Sequence, residues 1–276
     1  MPFKTVMAVL GGDDTAKDLD RAIELAAEID AHLSVVALQV AMAPTLGDYP
    51  VDTDWLDRRR AHQRAFRDRA ESDRHICNAS DVPSDFSSFY DEAGFLTEEI
   101  TRRVFYTDIV VAGPQVMKER DLVRIIVDGA LFDAMRPVLL LPAEGRGTLR
   151  PKRILVGWNG RIEAVRAVRE SLDLLKEADM VHLTMVDPES PYGENDGEPG
   201  AEMAAYLARH GVAVTIDQLP GGGRDVADIL DQHARDTSAD MVVLGAYGHS
   251  RLRQRVFGGV TSSVLKAVRL PTLLVR

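Results

Sequence analysis

Short apolar runs alternate with amphipathic segments along the chain. In the second half these runs are rich in Val, Ile and Leu and lack alternating polar positions, which is typical of strands buried on both faces of a parallel sheet. The predicted strands are residues 154–156, 181–186, 212–216, 241–244 and 272–275. Apolar residues at helical spacing predict the helices between them, at 163–175, 201–209, 225–235 and 258–268. This order predicts a parallel sheet with helices on both faces.

The first half follows the same order with less distinct boundaries. Its predicted strands are residues 5–10, 33–38, 108–112 and 138–141. Residues 75–94 are rich in Ser, Asp and single aromatic residues, so the pattern predicts no third strand there.

Three segments recur in the same order in the two halves. They are residues 4–9 with 152–157, 107–113 with 239–245, and 136–141 with 270–275. A repeat at this long period predicts two related domains. The stretch 142–151 contains two prolines and two glycines and has no apolar period, as expected of a linker. We therefore predict domains at residues 1–147 and 148–276.

The charge balance excludes some partners. The 276 residues include 33 Lys and Arg against 43 Asp and Glu, a formal net charge of −10. Binding of nucleic acid or an anionic membrane through bulk charge needs a basic face, so we expect neither partner. A single cysteine, Cys77, fits a reducing compartment. The apolar runs are shorter than a signal peptide or a membrane span, so we expect a soluble, cytoplasmic protein.

Glycine-rich turns follow two predicted strands of the second half. In open parallel sheets, ligands bind beyond the carboxyl ends of the strands. Glycines allow sharp turns and close approach to a ligand, and the free N–H groups at a helix start attract anions. The second of these turns also contains cationic residues, although the protein is acidic. The candidate residues that could surround a polyphosphate are Gly245, Gly248, His249, Arg251, Gly258, Gly259, Val260 and Thr261. A tight turn that binds no ligand is the alternative.

The spacing Gly245-x2-Gly248-x9-Gly258 resembles the nucleotide loop of the universal stress protein family, usually Gly-x2-Gly-x9-Gly-Ser/Thr. Residues 154–160 resemble the first strand and the Asp-Gly-Ser turn of that family, and residues 270–275 resemble its closing strand. The resemblance implies an α/β fold of two tandem doubly wound domains. Each domain is a five-stranded parallel sheet of order 3-2-1-4-5 with helices on both faces.

The resemblance also implies an adenine nucleotide, ATP with Mg²⁺, in the second domain. The turn residues Gly157, Trp158 and Asn159 would lie by the adenosine part, and Val186 by the adenine. The chain departs from the family pattern at Asn159, which replaces an aspartate, and at Gly259, which replaces a Ser or Thr. A phosphate held mainly by backbone N–H groups tolerates the second change.

The first domain departs much further from the nucleotide loop. Gly113 is kept, but Val116 stands where the second glycine is expected. Gly258 stands 13 residues before Pro271, and the residue 13 before Pro137 is Arg124 instead of a glycine. We therefore expect this domain to keep the fold and to have lost nucleotide binding.

The sequence predicts a stress-response protein that binds ATP and regulates an unidentified protein partner. A scaffold of the same fold without nucleotide, and a slow ATPase, are the alternatives. No catalytic residue is predicted, because nucleophile and P-loop motifs are absent. The seven histidines show no metal-ligand spacing, so no metal site is predicted. The two domains should form a pseudo-dimer along residues 138–141 and 272–275, and the sequence leaves open whether the chain forms a further homodimer.

Overall fold

Parallel pairing between buried strands organises both halves of the chain. The computed structural model describes residues 3–44, 53–188, 198–246 and 259–276. The chain divides into two compact units, Phe3–Arg136 and Pro137–Arg276. Among the helices of the described residues, none is long and apolar enough to cross a bilayer.

The first unit contains a parallel sheet of order β3-β2-β1-β4. Its strands are β1 (Thr5–Leu10), β2 (His32–Val40), β3 (Ser84–Asp91) and β4 (Ile109–Ala112). Its helices are α1 (Ala16–Glu28), α2 (Thr53–Ala79), α3 (Ala93–Val104), α4 (Pro114–Lys118) and α5 (Arg120–Ile126). A π-helical stretch, Val127–Asp133, continues α5.

The second unit contains a mostly parallel sheet of order β5-β10-β9-β6-β7-β8. Its strands are β5 (Val138–Leu140), β6 (Arg153–Gly157), β7 (Met180–Val186), β8 (Val214–Leu219), β9 (Met241–Gly245) and β10 (Thr272–Val275). Its helices are α6 (Ile162–Glu170), α7 (Leu172–Glu177), α8 (Ala201–Arg209), α9 (Val226–Asp236) and α10 (Gly259–Lys266). From β6 to β10 the sheet follows the order 3-2-1-4-5, which confirms the predicted doubly wound fold.

The strand β5 lies in the second unit because it pairs with β10. The pairing is antiparallel, with Leu140 opposite Thr272 and Val138 opposite Leu274. The expected pairing between residues 138–141 and 272–275 is therefore present. The domain boundary at 147/148, which was inferred from the repeat, stays a prediction.

A matching pair of aspartates shows that the repeat is structural. Asp108 Oδ2 accepts the backbone N–H groups of Lys4 at 2.7 Å and Thr5 at 2.9 Å. Asp240 Oδ2 accepts those of Lys152 and Arg153 at the same two distances. The carboxylate just before β4 thus holds the start of β1, and the carboxylate just before β9 holds the start of β6 in the same way.

Two local features differ from the pattern-based prediction. The strand β3 occupies part of residues 75–94, where no strand was predicted. It lies at the sheet edge and is only partly buried, so its polar residues do not form an apolar run. The helix predicted at 163–175 is divided into α6 and α7 at Ser171, whose buried hydroxyl donates to the Ala167 carbonyl at 2.6 Å. Such a hydroxyl competes with the backbone amides of the next turn.

Candidate functional site

The carboxyl ends of β6 and β9 lie side by side in the second unit. Gly157, the last residue of β6, is paired with Leu244 in β9 and with Thr184 in β7. The strands β6 and β9 are neighbours in the sheet. The next strand in the chain after β6 is β7, which lies on the outer side of β6, and the next after β9 is β10, which lies on the outer side of β9. In open α/β sheets, the place where the winding reverses in this way is the usual ligand site.

The turn after β6 is held by its own hydrogen bonds. The Trp158 amide donates to the Thr184 carbonyl at 2.9 Å, and Asn159 Oδ1 accepts the Arg161 N–H at 3.0 Å. Gly160 between them has a φ of +70°, a conformation that favours glycine. Trp158 is half-buried and Asn159 is exposed. The side-chain oxygen of Asn159 therefore has a local role at the start of α6.

Gly245 allows the end of β9 to approach the start of α6. A Cβ at this position would lie 2.5 Å from the Glu163 carbonyl carbon and 2.6 Å from the Ala164 nitrogen. Both of these atoms belong to the backbone, so neither can rotate away. The glycine pattern predicts the close approach of a ligand at this position, and the structure gives Gly245 a role in packing between a strand and a helix.

The connection between β9 and α10 is described only at its two ends. Gly248, His249, Arg251 and Gly258 lie outside the described residues. Gly259 is the first residue of α10, where Val260 is half-buried and Thr261 is buried.

Both ends of this connection are attached to the sheet or to a neighbouring helix. The Ala246 amide, just after β9, donates to the Val275 carbonyl at 2.7 Å. The Ser263 hydroxyl in α10 donates to Asp225 Oδ2 at 2.7 Å, and Asp225 Oδ1 caps α9 by accepting the Ala227 N–H at 2.9 Å. These two hydrogen bonds hold the pKa of Asp225 below its usual value. The bond from Ser263 has the larger effect.

The end of β7 provides the remaining candidate, Val186. It is half-buried and is paired with Leu219 at the end of β8. The next residue, Asp187, accepts the Gly221 N–H at 2.8 Å and so ties the ends of the two strands together. The cavity between α9, α10 and the sheet measures only about 60 Å³. Pockets for small molecules measure about 300–1,000 Å³, so a nucleotide does not fit beneath α10.

In the first unit, the space beyond the carboxyl ends of β1 and β4 is filled by the unit's own side chains. A Cβ on Gly11, just after β1, would overlap Leu122 of α5, which is buried. Asp18 Oδ2 accepts the Gln115 N–H at 2.9 Å at the start of α4, where a ligand would need free N–H groups. Burial raises the pKa of Asp18 to about 6, because its carboxylate is removed from water.

One cluster of metal-ligating residue types was missed by the sequence analysis. His182, Asp217 and His233 meet in the second unit. Asp217 is separated from the two histidines by 35 and 16 residues, so no short motif links them. Strand register and helix packing bring them together, and neither is visible in the spacing of one sequence.

These features define a doubly wound α/β protein with glycine-rich turns where the winding of its second unit reverses. The sequence model of the universal stress protein family matches residues 151–276. The second half of the chain is therefore similar to the universal stress protein family.

Two curated proteins are similar to parts of this chain. The universal stress protein Slr1230 of Synechocystis is 30% identical over 70 residues, which cover 25% of this chain and 23% of that protein. The chain thus matches about a quarter of the length of this relative. The stress response protein NhaX of Bacillus subtilis is 24% identical over 164 residues, which cover 45% of this chain and 97% of that protein.

Solved structures share the fold over nearly the whole chain. A universal stress protein from Archaeoglobus fulgidus superposes with a TM-score of 0.65 at 15% identity, covering 98% of this chain and 96% of that one. One from Pseudomonas aeruginosa, described as a putative universal stress protein, superposes with a TM-score of 0.59 at 15% identity, covering 99% and 93%. At this identity the likeness concerns the fold alone.

Proposed function

We propose that the second domain, residues 148–276, binds ATP at the carboxyl ends of β6 and β9. The main observation in support is that Gly157 and Gly245 end neighbouring strands where the winding reverses. Both residues lie in the half of the chain that matches the universal stress protein family model. Nucleotide occupancy would then alter the surface that this stress-response protein offers to a cytoplasmic protein partner.

The residues around this edge have distinct roles in the proposal. Backbone N–H groups of Gly248, Gly258 and Gly259 would hold the phosphates, with His249 and Arg251 adding positive charge. Asn159 and Trp158 would lie by the adenosine, and Val186 by the adenine. Mg²⁺ would enter with the phosphates and would need few protein ligands.

The first domain, residues 1–147, would keep the fold without the nucleotide. Leu122 and Gln115 occupy the edge that a ligand would need in that unit. Its contribution would be structural or would lie in binding the partner.

Thermal unfolding of the full chain with and without millimolar ATP and Mg²⁺ tests the proposal. A ligand that binds only the folded state raises the melting temperature. Gly258→Glu should abolish this rise, because its carboxylate would occupy the phosphate position. The matched control is Arg124→Glu, at the equivalent spacing in the first half, which should keep it. The site is wrongly assigned if the two variants behave alike.

A scaffold that binds no nucleotide is the second candidate. The observation in its favour is that Asn159 Oδ1, at the position of the family aspartate, is engaged by the Arg161 N–H. An unchanged melting temperature at millimolar ATP would support the scaffold. Release of phosphate from ATP, lost in Gly258→Glu, would support a slow ATPase instead.

A further inference from the structure

Two histidines of the second unit share one carboxylate oxygen. His182 Nδ1 lies 2.8 Å from Asp217 Oδ2, and His233 Nε2 lies 2.7 Å from the same oxygen. The three side chains are 16 to 21% exposed, so they are shielded from bulk water yet reachable from it. The ring centroids are 6.0 Å apart with nearly perpendicular planes, so the two rings approach the oxygen from different directions.

Three elements bring these residues together. His182 lies in β7, and its register partner in β8 is Thr215, two residues before Asp217. Side chains two residues apart in a strand share a face, so His182 and Asp217 are diagonal neighbours on one face of the sheet. On that face α9 supplies His233, whose carbonyl is held by the Thr237 amide at 2.9 Å and hydroxyl at 2.8 Å.

The cluster is separate from the proposed nucleotide site. His182 is four residues before Val186, which places it about 13 Å from the end of β7 along the strand. His233 is likewise near the far end of α9 from Asp225, about 12 Å along the helix. The nucleotide proposal therefore does not bear on this cluster.

The donor set suits a divalent transition metal. Two imidazole nitrogens and one carboxylate oxygen lie within 4.8 Å of one another. Zn²⁺ accepts such ligands at about 2.0–2.2 Å, which puts tetrahedral ligands about 3.3 Å apart. The observed nitrogen–oxygen distances are about 0.5 Å shorter than this spacing, so small side-chain rotations would open the cluster around an ion.

The first unit contains a simpler pair for comparison. His32 Nε2 lies 2.8 Å from Asp85 Oδ2 between β2 and β3. The repeated register places Ser34 and Ser87 of the first unit where the second unit has His182 and Asp217. The pair at His32 thus has a comparable hydrogen bond but a different place in the fold, and its residues are 43 and 52% exposed.

We propose that His182, Asp217 and His233 bind Zn²⁺, with water or an exogenous ligand at the fourth position. The ion would join β7 and the edge strand β8 to α9, because each of these elements supplies one ligand. Three protein ligands with an open fourth position is an arrangement that zinc commonly adopts in proteins.

Zinc titration of the chelator-stripped full chain tests this proposal. Two conservative variants keep a hydrogen-bond donor towards Asp217 and lose the ligand: His233→Gln mimics Nε2–H, and His182→Asn mimics Nδ1–H. We expect one tight site per wild-type chain and affinities weakened by more than about 100-fold in both variants, since loss of outer-shell groups alone costs about 10–100-fold. His32→Gln is the matched control and should keep wild-type affinity.

Two further measurements separate a metal site from a hydrogen-bonded triad. Zn²⁺ at a hundred times its dissociation constant should raise the melting temperature of the wild-type chain by about 5 °C or more. Co²⁺ bound at the site should give visible absorption bands typical of an ion with a low coordination number. His182→Asn should lose these bands. Absence of a tight wild-type site, or equal affinity in wild type and both variants, would overturn the proposal.

Discussion

Asp18 in α1 is a buried carboxylate that helps to close the edge of the first unit. It is 3% exposed, and its Oδ2 accepts the Gln115 N–H. Its Oδ1 is buried without a hydrogen-bond partner among the described residues. Desolvation therefore outweighs that hydrogen bond and raises the pKa to about 6.

We expect Asp18→Asn to change how stability depends on pH. The pKa in the native chain lies above the ordinary value of 3.8, so the native state binds more protons between about pH 4 and 6. The free energy of unfolding of the wild type therefore falls as the pH rises through this window. Asp18→Asn should lack this decrease and, at pH 8, gain up to about 3 kcal/mol relative to the wild type.

Urea unfolding at a series of pH values measures this effect. Asp20→Asn is the control, because Asp20 is an exposed residue of the same helix. An unchanged slope between pH 4 and 6 in Asp18→Asn would show that Asp18 titrates in the native chain as it does in water.

A second residue-scale prediction concerns Gly245. In Gly245→Ala the new methyl group would overlap the backbone of Glu163 and Ala164, so β9 or α6 must shift. We expect a loss of about 1–3 kcal/mol in the free energy of unfolding. Gly94→Ala is the control: a Cβ there meets nothing within 4 Å, so stability should stay within about 0.5 kcal/mol. Equal stabilities of the two variants would contradict the packing role of Gly245.

At the scale of elements, α10 depends on α9 for its position. Asp225 caps α9 and also accepts the Ser263 hydroxyl of α10. Asp225→Ala should lose about 1–2 kcal/mol, because it removes the cap and the tether together. Ser263→Ala removes only the tether and should lose about 1 kcal/mol or less. Since the pKa of Asp225 is lowered, its contribution should decline as the pH falls through the usual carboxylate range.

A double-mutant cycle on Asp225 and Ser263 measures the tether directly. The double variant should lose less than the sum of the two single losses, because both remove the same hydrogen bond. The control is Ser72→Ala: the exposed Ser72 hydroxyl donates to the Asp68 carbonyl within α2, and its loss should have little effect. Strict additivity of the two single losses would mean that the hydrogen bond contributes nothing to stability.

Burial explains which elements could be predicted from the sequence. Strands such as β6 and β9 are buried on both faces, so continuous apolar runs mark them. The strand β3 has one open edge and partial burial, so its side chains need not be apolar. Periodicity alone also could not divide α6 from α7, because one buried hydroxyl at Ser171 accompanies the break.

The candidate sites differ in the same way. Gly157 and Gly245 end buried strands, and Gly245 begins the recognisable spacing Gly245-x2-Gly248-x9-Gly258, so the sequence indicated the carboxyl ends of β6 and β9 as the site. The grouping of His182, Asp217 and His233 depends on the register of β7 and β8 and on the packing of α9. A single sequence contains none of this information, because many registers are compatible with the same apolar pattern.

At the scale of the whole molecule, the two halves share the same hydrogen bonds at the start of their sheets and differ beyond the carboxyl ends of their strands. Asp108 and Asp240 make the same pair of backbone hydrogen bonds, so duplication has kept the start of the sheet. Beyond the carboxyl end of β1 in the first unit, the buried side chain of Leu122 lies against Gly11. In the second unit, Asn159 at the corresponding turn is exposed.

This asymmetry predicts one ATP per chain, if the second domain binds nucleotide as proposed. Leu122 and the Asp18–Gln115 hydrogen bond take up the space and the N–H group that a phosphate would need in the first unit. Calorimetric titration of the full chain with ATP and Mg²⁺ should therefore give a stoichiometry near one. Arg124→Glu should leave that value unchanged, and Gly258→Glu should reduce it to zero. Two equivalents per chain would mean that Leu122 moves aside and that both units kept the ligand site of the duplicated fold.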